Sequence, residues 1–433
     1  MSWQTKATPD SPETTLKALT TTITNDTTTY LTRLQDLNQE INFRDPFPPI
    51  IQDATAQEAK LSILRSCEKL MALIQGPVQW LMFQNMAFID PACIGTAIAL
   101  GIHEIVNDRP GETTGIDEIV EVTGANKEVI RRIMRVCTQR LLFEEVEPDK
   151  WVHNAVSLQI LAPPVQALIS HCCEDGLRIA GHFGSFLRDR KYQESDESGD
   201  SAFKEAFNTE KSLFDYFYTT DTTRGQRFAL GMAGSEMIKT LTEDIYPFHK
   251  LPPGSKVVDV GGSRGHVSVR IAEKVPDLNF VVQDDEGILE AGQAEGIPEN
   301  VKVRIEFMPH DFFNEQPVQG AEVYLLRFIL HDHPDAVCAK ILKHIVNAMD
   351  ASKSRILIDD AVVPGLLGQD SVRFFNFLDV YMMMAFNGKE RTERQWNELF
   401  KMVDERLVLE KIWRVEGSGP EAGAVLELRL REE

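Results

Sequence analysis

His331 stands in Leu325-Leu326-Arg327-Phe328-Ile329-Leu330-His331-Asp332-His333-Pro334-Asp335, where an apolar run breaks into imidazoles and carboxylates. A second apolar run, residues 355–359, ends in Asp359-Asp360. If both runs are neighbouring parallel strands, they lie about 4.8 Å apart. An acid at the end of one then reaches an imidazole at the end of the other. That acid fixes the tautomer of the imidazole and stabilises its cation after proton uptake. An unperturbed histidine has a pKa of about 6.5, which leaves His331 mostly neutral near pH 7 and able to take a proton. The chemistry implied is general base catalysis on a hydroxyl.

A second group of residues can hold a ligand. Val257-Val258-Asp259-Val260-Gly261-Gly262-Ser263-Arg264-Gly265-His266 reads as a strand, a glycine-rich turn and a helix start. Gly261, Gly262 and Gly265 let the backbone approach a ligand with no Cβ in the way. Such a loop is common to nucleotide binders of this architecture. Asp259 before the turn can meet an ammonium group or a water, and would repel a pyrophosphate. About 20 residues on, Gln283-Asp284-Asp285 closes the next strand, where an acid can accept both hydroxyls of a ribose. Asp311-Phe312 follows the third strand. Such a pair can hydrogen-bond an adenine amino group and pack on its ring, or can be a helix-capping acid beside a core Phe.

These residues need a sheet to converge. Short apolar runs at 256–260, 279–283, 303–308, 322–330 and 355–359 alternate with helical stretches, which predicts a parallel, doubly wound α/β sheet. Runs at 406–415 and 424–430 lack a helix between them and predict an antiparallel edge hairpin. Upstream the pattern is helical. Residues 16–41 are Thr-rich with amphipathic spacing, followed by a break at Pro46, Pro48 and Pro49. Residues 94–106 repeat apolar positions at helical spacing. Two short helices and a hairpin over 143–154 give a winged-helix outline. Residues 191–202 read as an exposed loop.

The chain has 433 residues, enough for two or three domains, and 43% hydrophobic residues. Its net charge of −21 disfavours nucleic acid and anionic lipid. The cluster Lys127, Arg131, Arg132, Arg135 and Arg140 is the one local argument for a DNA-binding winged helix. Six cysteines without CxxC or ligand spacing predict no metal site and no disulfide framework. With no apolar run of about 18 residues, a soluble cytoplasmic protein with no membrane contact is expected.

Taken together, DVGGSRGHVS, VVQDDEGI and the His331-Asp332 pair resemble the class I S-adenosylmethionine-dependent O-methyltransferases. The specific likeness is to the small-molecule group with an N-terminal winged-helix dimerisation domain, fungal members more than plant ones. The likeness spans roughly residues 60–430. It implies an N-terminal extension with a helix over 1–50 and a mainly α winged-helix dimerisation domain over 51–165. A helical linker contributing to the substrate pocket then covers 166–250, and a Rossmann-like methyltransferase domain covers 251–433. S-adenosylmethionine is the implied cofactor, bound by Asp259, Gly261, Gly262, Gly265, Asp284, Asp311, Phe312 and Arg327. His331 matches the family's base. Asp360, by its distance from Pro364, and Glu390, in the GKERT string, match its flanking acids. Phe228 and Met232, four apart and so on one helical face, match substrate-lining positions, as do Met383 and Asn387; packing in the core is the alternative for the Phe/Met pair. His333 stands where the family has Trp, which removes a large aromatic wall.

The activity implied is methylation of a phenolic or enolic hydroxyl on a small aromatic or polyketide-like secondary metabolite, by a homodimer, without metal. An alternative keeps fold and cofactor but makes the chain a pericyclase or dehydrating cyclase that uses the bound cofactor as a fixed charge. Family members of that kind carry Arg or Lys in place of the base. A nicotinamide dehydrogenase is disfavoured by Asp259 and the terminal hairpin.

Overall fold

Alternating apolar runs and helices close into one sheet because each strand is apolar on both faces and must be covered twice. In the computed structural model, residues 12–42, 51–109, 112–235, 240–365, 373–418 and 423–431 are described. The break at Pro46, Pro48 and Pro49 lies outside them. The chain divides into two compact units, residues 1–177 with 416–419, and residues 178–415 with 420–433.

In the first unit, helix Pro12–Asp36 packs along helix Ala54–Gln75. The first of these begins and ends earlier than the 16–41 expected. Its threonines return their hydroxyls to carbonyls one turn back, as Thr24 does to Thr20 and Thr28 to Thr24, both at 2.9 Å. Arg33 Nη2 donates to Asp53 at 2.6 Å, while Asp53 caps the second helix at Ala56 N–H. The Arg33 hydrogen bond holds the Asp53 carboxyl down at about 2.

The winged-helix outline is present. Helices Ile116–Thr123 and Lys127–Gln139 precede a small sheet of β1 (Thr114–Gly115), β2 (Glu144–Glu147) and β3 (Lys150–Val152), in the order β1-β3-β2. Ile119, Ile130, Met134, Cys137 and Trp151 form its core. Lys127 pairs with Asp117, Arg131 with Asp149 and Glu128, and Arg140 with Asp90. Three of the five cations of the basic cluster therefore face carboxylates of the same unit.

The second unit carries the seven-stranded sheet, built from β4 (Lys256–Val260), β5 (Asn279–Asp284), β6 (Ile305–Pro309), β7 (Val323–Arg327), β8 (Arg355–Asp359), β11 (Leu407–Trp413) and β12 (Val425–Leu430). Its order is β11-β12-β8-β7-β4-β5-β6. The five strands β4 to β8 are parallel, and the last two form the antiparallel edge hairpin. β4 pairs with β5 on one side and β7 on the other, so the order reverses there, the place where open α/β sheets bind ligands. Two short strands, β9 (Val362–Val363) and β10 (Arg391–Thr392), pair in parallel beyond the sheet. A separate aromatic cluster joins helices Ala202–Phe207, Leu213–Thr219 and Thr222–Ser235 to helix Arg373–Phe386 through Phe203, Phe207, Phe217, Phe228 and Phe386.

β7 is shorter than its apolar run. Phe328 takes a left-handed φ of 53°, which no strand accommodates, and the chain turns through Leu330–Asp332. Leu330 remains apolar because it is buried in that turn, where its side chain joins the main core.

Candidate active site

His331 lies four residues past the end of β7, in the turn Leu330–Asp332. Four hydrogen bonds fix that turn. Arg391, fully buried, donates to the carbonyls of Leu330 (3.0 Å) and His333 (2.9 Å) and to Asp335 (2.8 Å). Lys389 N–H donates to His331 O at 2.8 Å. Gly388 permits this approach, because a Cβ there would lie 2.2 Å from His331 O.

The flanking acids arrive by the small β9–β10 pair. Its register sets Arg391 opposite Val362, which brings Glu390, just before β10, beside the residues that follow β8. Glu390 N–H is held by Asp379 Oδ1 at 2.8 Å. His331 Nδ1 donates to Glu390 Oε1 at 2.9 Å and lies 3.9 Å from Asp360 Oδ1. Asp332 Oδ1 is 3.7 Å from Nε2. Asp359 serves elsewhere, accepting from Thr242 Oγ1 and lying 3.3 Å from Arg327 Nε. Of the two acids closing the fifth strand, Asp360 is the one beside the imidazole.

The electrostatics depart from the expected mostly neutral histidine. Burial alone would push His331 down, yet Asp332, Asp360 and Glu390 together outweigh it and raise it to about 9. Burial raises Asp360 to about 7, with His331 opposing and Glu390 adding to the rise. Burial likewise raises Asp332 to about 6. Among the described residues, neither oxygen of Asp360 has a hydrogen-bond partner. The cluster is therefore poised to hold protons at neutral pH.

The cofactor-side residues gather at the switch point. Gly261 (φ 71°), Ser263 (φ 51°) and Gly265 (φ 80°) wind the turn after β4. A Cβ on Gly262 would lie 2.6 Å from Asp259 Cγ, and one on Gly261 2.5 Å from Ile329 Cδ1. Buried Asp259 accepts from Ser268 Oγ at 2.7 Å, and burial raises its pKa. Asp284 accepts from Ser263 N–H and Asp285 N–H, both at 2.8 Å, so it braces the glycine turn. Burial raises its pKa too. Asp311 is exposed and caps its own turn, accepting from Phe313 N–H at 2.9 Å and Asn314 at 3.1 Å. The alternative weighed from sequence is a helix cap, and here the acid caps a turn with no helix behind it. Phe312 lies against the glycine turn, 3.6 Å from where a Gly261 Cβ would stand. Arg327 stacks over the Phe328 ring at 4.5 Å. A cradle that a Cβ would fill, an acid at the end of β5 and a ring beside the turn fit an adenosyl group.

The acceptor-side residues divide. Phe228 is only 6% exposed and sits in the aromatic cluster, 5.8 Å from Phe217 and 5.9 Å from Phe214 by ring centroids. Core packing, the alternative for that position, describes where its ring lies. Met232, on the same helix, is 36% exposed. Met382 joins the cluster and Met383 does not. Asn387 donates its amide to Ser195 O and Glu197 O, both at 2.8 Å. The 191–202 segment is the mostly exposed loop expected, and it is anchored to this helix end. His333 does keep an aromatic wall. Its ring lies 6.0 Å from Phe312 and 5.6 Å from Phe313, with Nδ1 hydrogen-bonded to Ser198 Oγ at 2.8 Å. Burial lowers it to about 4, so it is neutral.

Sequence reasoning missed Gly388, Arg391 and Tyr218. The Tyr218 phenol is raised chiefly by desolvation, with Asp284 and Asp332 adding to the rise and Arg264 opposing it. Its only sequence signal is a place in an aromatic helix, Leu213–Thr219.

Residues 187–403 match the family model described as O-methyltransferase domain, and residues 83–162 the O-methyltransferase dimerisation domain. The chain is similar to O-methyltransferase xanE of Aspergillus fumigatus, 64% identical over 96% of this chain and 97% of that one. It is 44% identical to sterigmatocystin 8-O-methyltransferase of Aspergillus flavus, over 86% of this chain and 87% of that one. A solved structure of a pericyclic reaction enzyme matches with a TM-score of 0.75 at 28% identity, over 87% of this chain and 95% of that one. A further solved chain at 28% identity is a complex with S-adenosylmethionine.

Proposed function

The chain belongs to the S-adenosylmethionine-dependent O-methyltransferases, and on that footing we propose that it methylates a phenolic or enolic hydroxyl of a small aromatic or polyketide-like secondary metabolite, with His331 as base. The observation that carries this reading is the His331 Nδ1–Glu390 Oε1 hydrogen bond of 2.9 Å, with Asp360 behind it. With Nδ1–H committed to Glu390, the neutral ring has its lone pair on Nε2. Nε2 takes the acceptor proton, and Glu390 and Asp360 stabilise the resulting imidazolium. S-adenosylmethionine supplies an already activated methyl group.

The raised pKa suits this task. A phenol such as tyrosine has a pKa of about 10, so a base near 9 differs from it by about one unit, or about 1.4 kcal/mol. Neutral base with phenol, and imidazolium with phenolate, are then nearly isoenergetic. Positioning adds up to roughly 7–11 kcal/mol. The soft lining offered by Met383 and Met232 supports a flat, apolar acceptor. The sterigmatocystin methyltransferase among the relatives supports a polycyclic one.

Two copies are part of the reading. Residues 83–162 match a dimerisation domain. Ile74, Val78, Leu81 and Met82, on helices Ala54–Gln75 and Pro77–Met86, are more than half exposed, an apolar face suited to a second chain. Six free thiols support a cytoplasmic, reducing setting.

The pericyclase alternative draws on the fold shared with a pericyclic reaction enzyme. It leaves the imidazole and its acids without a proton to take. Mass spectrometry separates the two readings. The purified chain is incubated with S-adenosylmethionine and a panel of phenols including a dihydroxyanthraquinone. A methylated product with stoichiometric S-adenosylhomocysteine is expected. An isomerised or dehydrated product without cofactor turnover would overturn methyl transfer.

A further inference from the structure

Residues 191–202 form a polar segment that the methyl-transfer chemistry does not itself call for, yet the segment is tied down from Ser195 to Ser201. Arg190 pairs with Asp200 at 2.6 Å. Asn387 donates to Ser195 O and Glu197 O. Ser198 bonds His333 Nδ1. Gly199 N–H donates to Phe386 O at 3.0 Å, and Ser201 Oγ to Ala385 O at 2.9 Å. Every one of these last anchors is on one of two pieces of chain. One is the end of helix Arg373–Phe386 with Asn387 after it, four residues past Met383. The other is His333, two residues past His331.

His333 joins three regions. Its main chain is held by Arg391 in the turn that carries His331. Its ring edges meet Phe312 and Phe313, beside the glycine turn. Its Nδ1 holds the strap through Ser198. A tryptophan here carries its one N–H an atom further from the backbone than Nδ1 and only as a donor, and could not make the same bond from the same place. Asn387 is similarly specific. Its φ of 59° is left-handed, a conformation Asn tolerates, and its amide is directed into the strap.

We propose that Ser198, His333 and Asn387 are positioning residues that latch segment 191–202 as a strap across the acceptor side of the site, and so set acceptor affinity. This rests on the site reading above. A latched strap keeps water from the acceptor hydroxyl and closes the acceptor side against Met383. When the Ser198–His333 bond is lost, the strap opens more often, so the acceptor is held less tightly, while the base and the glycine turn remain in place.

Four variants test this with S-adenosylmethionine and the best acceptor of the phenol panel. Ser198→Ala and His333→Phe each remove the latch bond, and the second keeps an aromatic ring against Phe312 and Phe313. Each is expected to raise acceptor KM by about 3- to 10-fold, the worth of one hydrogen bond. For Ser198→Ala the change in kcat and in cofactor Kd should stay within about twofold by the same reasoning, since Ser198 touches neither the base nor the glycine turn. The double variant should be no worse than the weaker single one, because both remove the same bond. His333→Asn, whose amide stands where Nδ1 stood, should restore KM. Asn387→Gly, which keeps the left-handed backbone, should raise KM. Trypsin should cut faster after exposed Lys191 in the first two variants. Unchanged KM, additive losses, no rescue by Asn, or a fall in thermal stability and cofactor affinity alongside KM would each overturn the latch. If the unaltered chain transfers no methyl group, the functional reading fails by itself. The trypsin comparison then decides the latch, with equal cutting rates refuting it.

Discussion

Replacing Glu390 by Gln removes one charge from the His331 cluster and keeps the shape and a hydrogen-bond acceptor. Two unit charges 2.9 Å apart interact by about 6 kcal/mol at an effective dielectric constant of about 20, equal to about 4 pKa units. That is an upper bound, because the cluster adjusts. Glu390 helps to raise Asp360 to about 7, so its removal lets Asp360 ionise and return part of the field to the imidazole. A net fall of about 1–3 units in His331 is expected, from about 9 towards the ordinary histidine range. The sign follows from the mechanism. Transfer requires the neutral ring, so kcat/KM rises with pH through the His331 pKa, and lowering that pKa moves the acid limb to lower pH. The weaker base should also lower the high-pH plateau, by about 10- to 100-fold on the scale of general-base contributions. The assay is the pH dependence of S-adenosylhomocysteine release at saturating cofactor. An acid limb that stays in place or moves upward would refute the reasoning.

Asp284→Ala should weaken S-adenosylmethionine binding by about 10- to 100-fold, because Asp284 braces the glycine turn and is the acid proposed to take the ribose hydroxyls; calorimetry giving an unchanged Kd would oppose that role. Gly388→Ala should lower kcat by about a hundredfold, since its Cβ would stand 2.2 Å from His331 O and displace the base; near-normal turnover in a folded variant would show that the turn yields freely. Arg391→Met should destabilise the chain by about 3 kcal/mol, towards the low end for a broken buried pair because Asp335 is 35% exposed; differential scanning calorimetry measures it, and an unchanged Tm would count against the staple.

The sheet was legible because its signals are local. Strand-length apolar runs separated by helices placed β4, β5 and β8 to within a residue, and the missing helix after β11 exposed the edge hairpin. β7 was overrun because Leu330 is as apolar in a buried turn as in a strand, and nothing in the residue types marks the left-handed Phe328. In the site, His331 and the pair Asp359-Asp360 followed from parallel neighbouring strands alone. The choice of Asp360, and Glu390 altogether, came from the family likeness. The β9–β10 pairing that brings Glu390 in is two residues per strand, too short for any periodic signal. The shifted pKa of His331 was out of reach for a related reason. It depends on three acids from separate segments converging in a desolvated place. Residues 191–202 are the loop that their polar character implies, and only long-range hydrogen bonds reveal that the loop is anchored.

The central claim is that His331 takes the acceptor proton beside a separately bound cofactor. His331→Ala tests it most directly when methyl transfer and cofactor affinity are measured on the same preparation. The account predicts that transfer falls by about 10²- to 10⁴-fold, the usual worth of a positioned base, while S-adenosylmethionine binds as before. Turnover near that of the unaltered chain would contradict it.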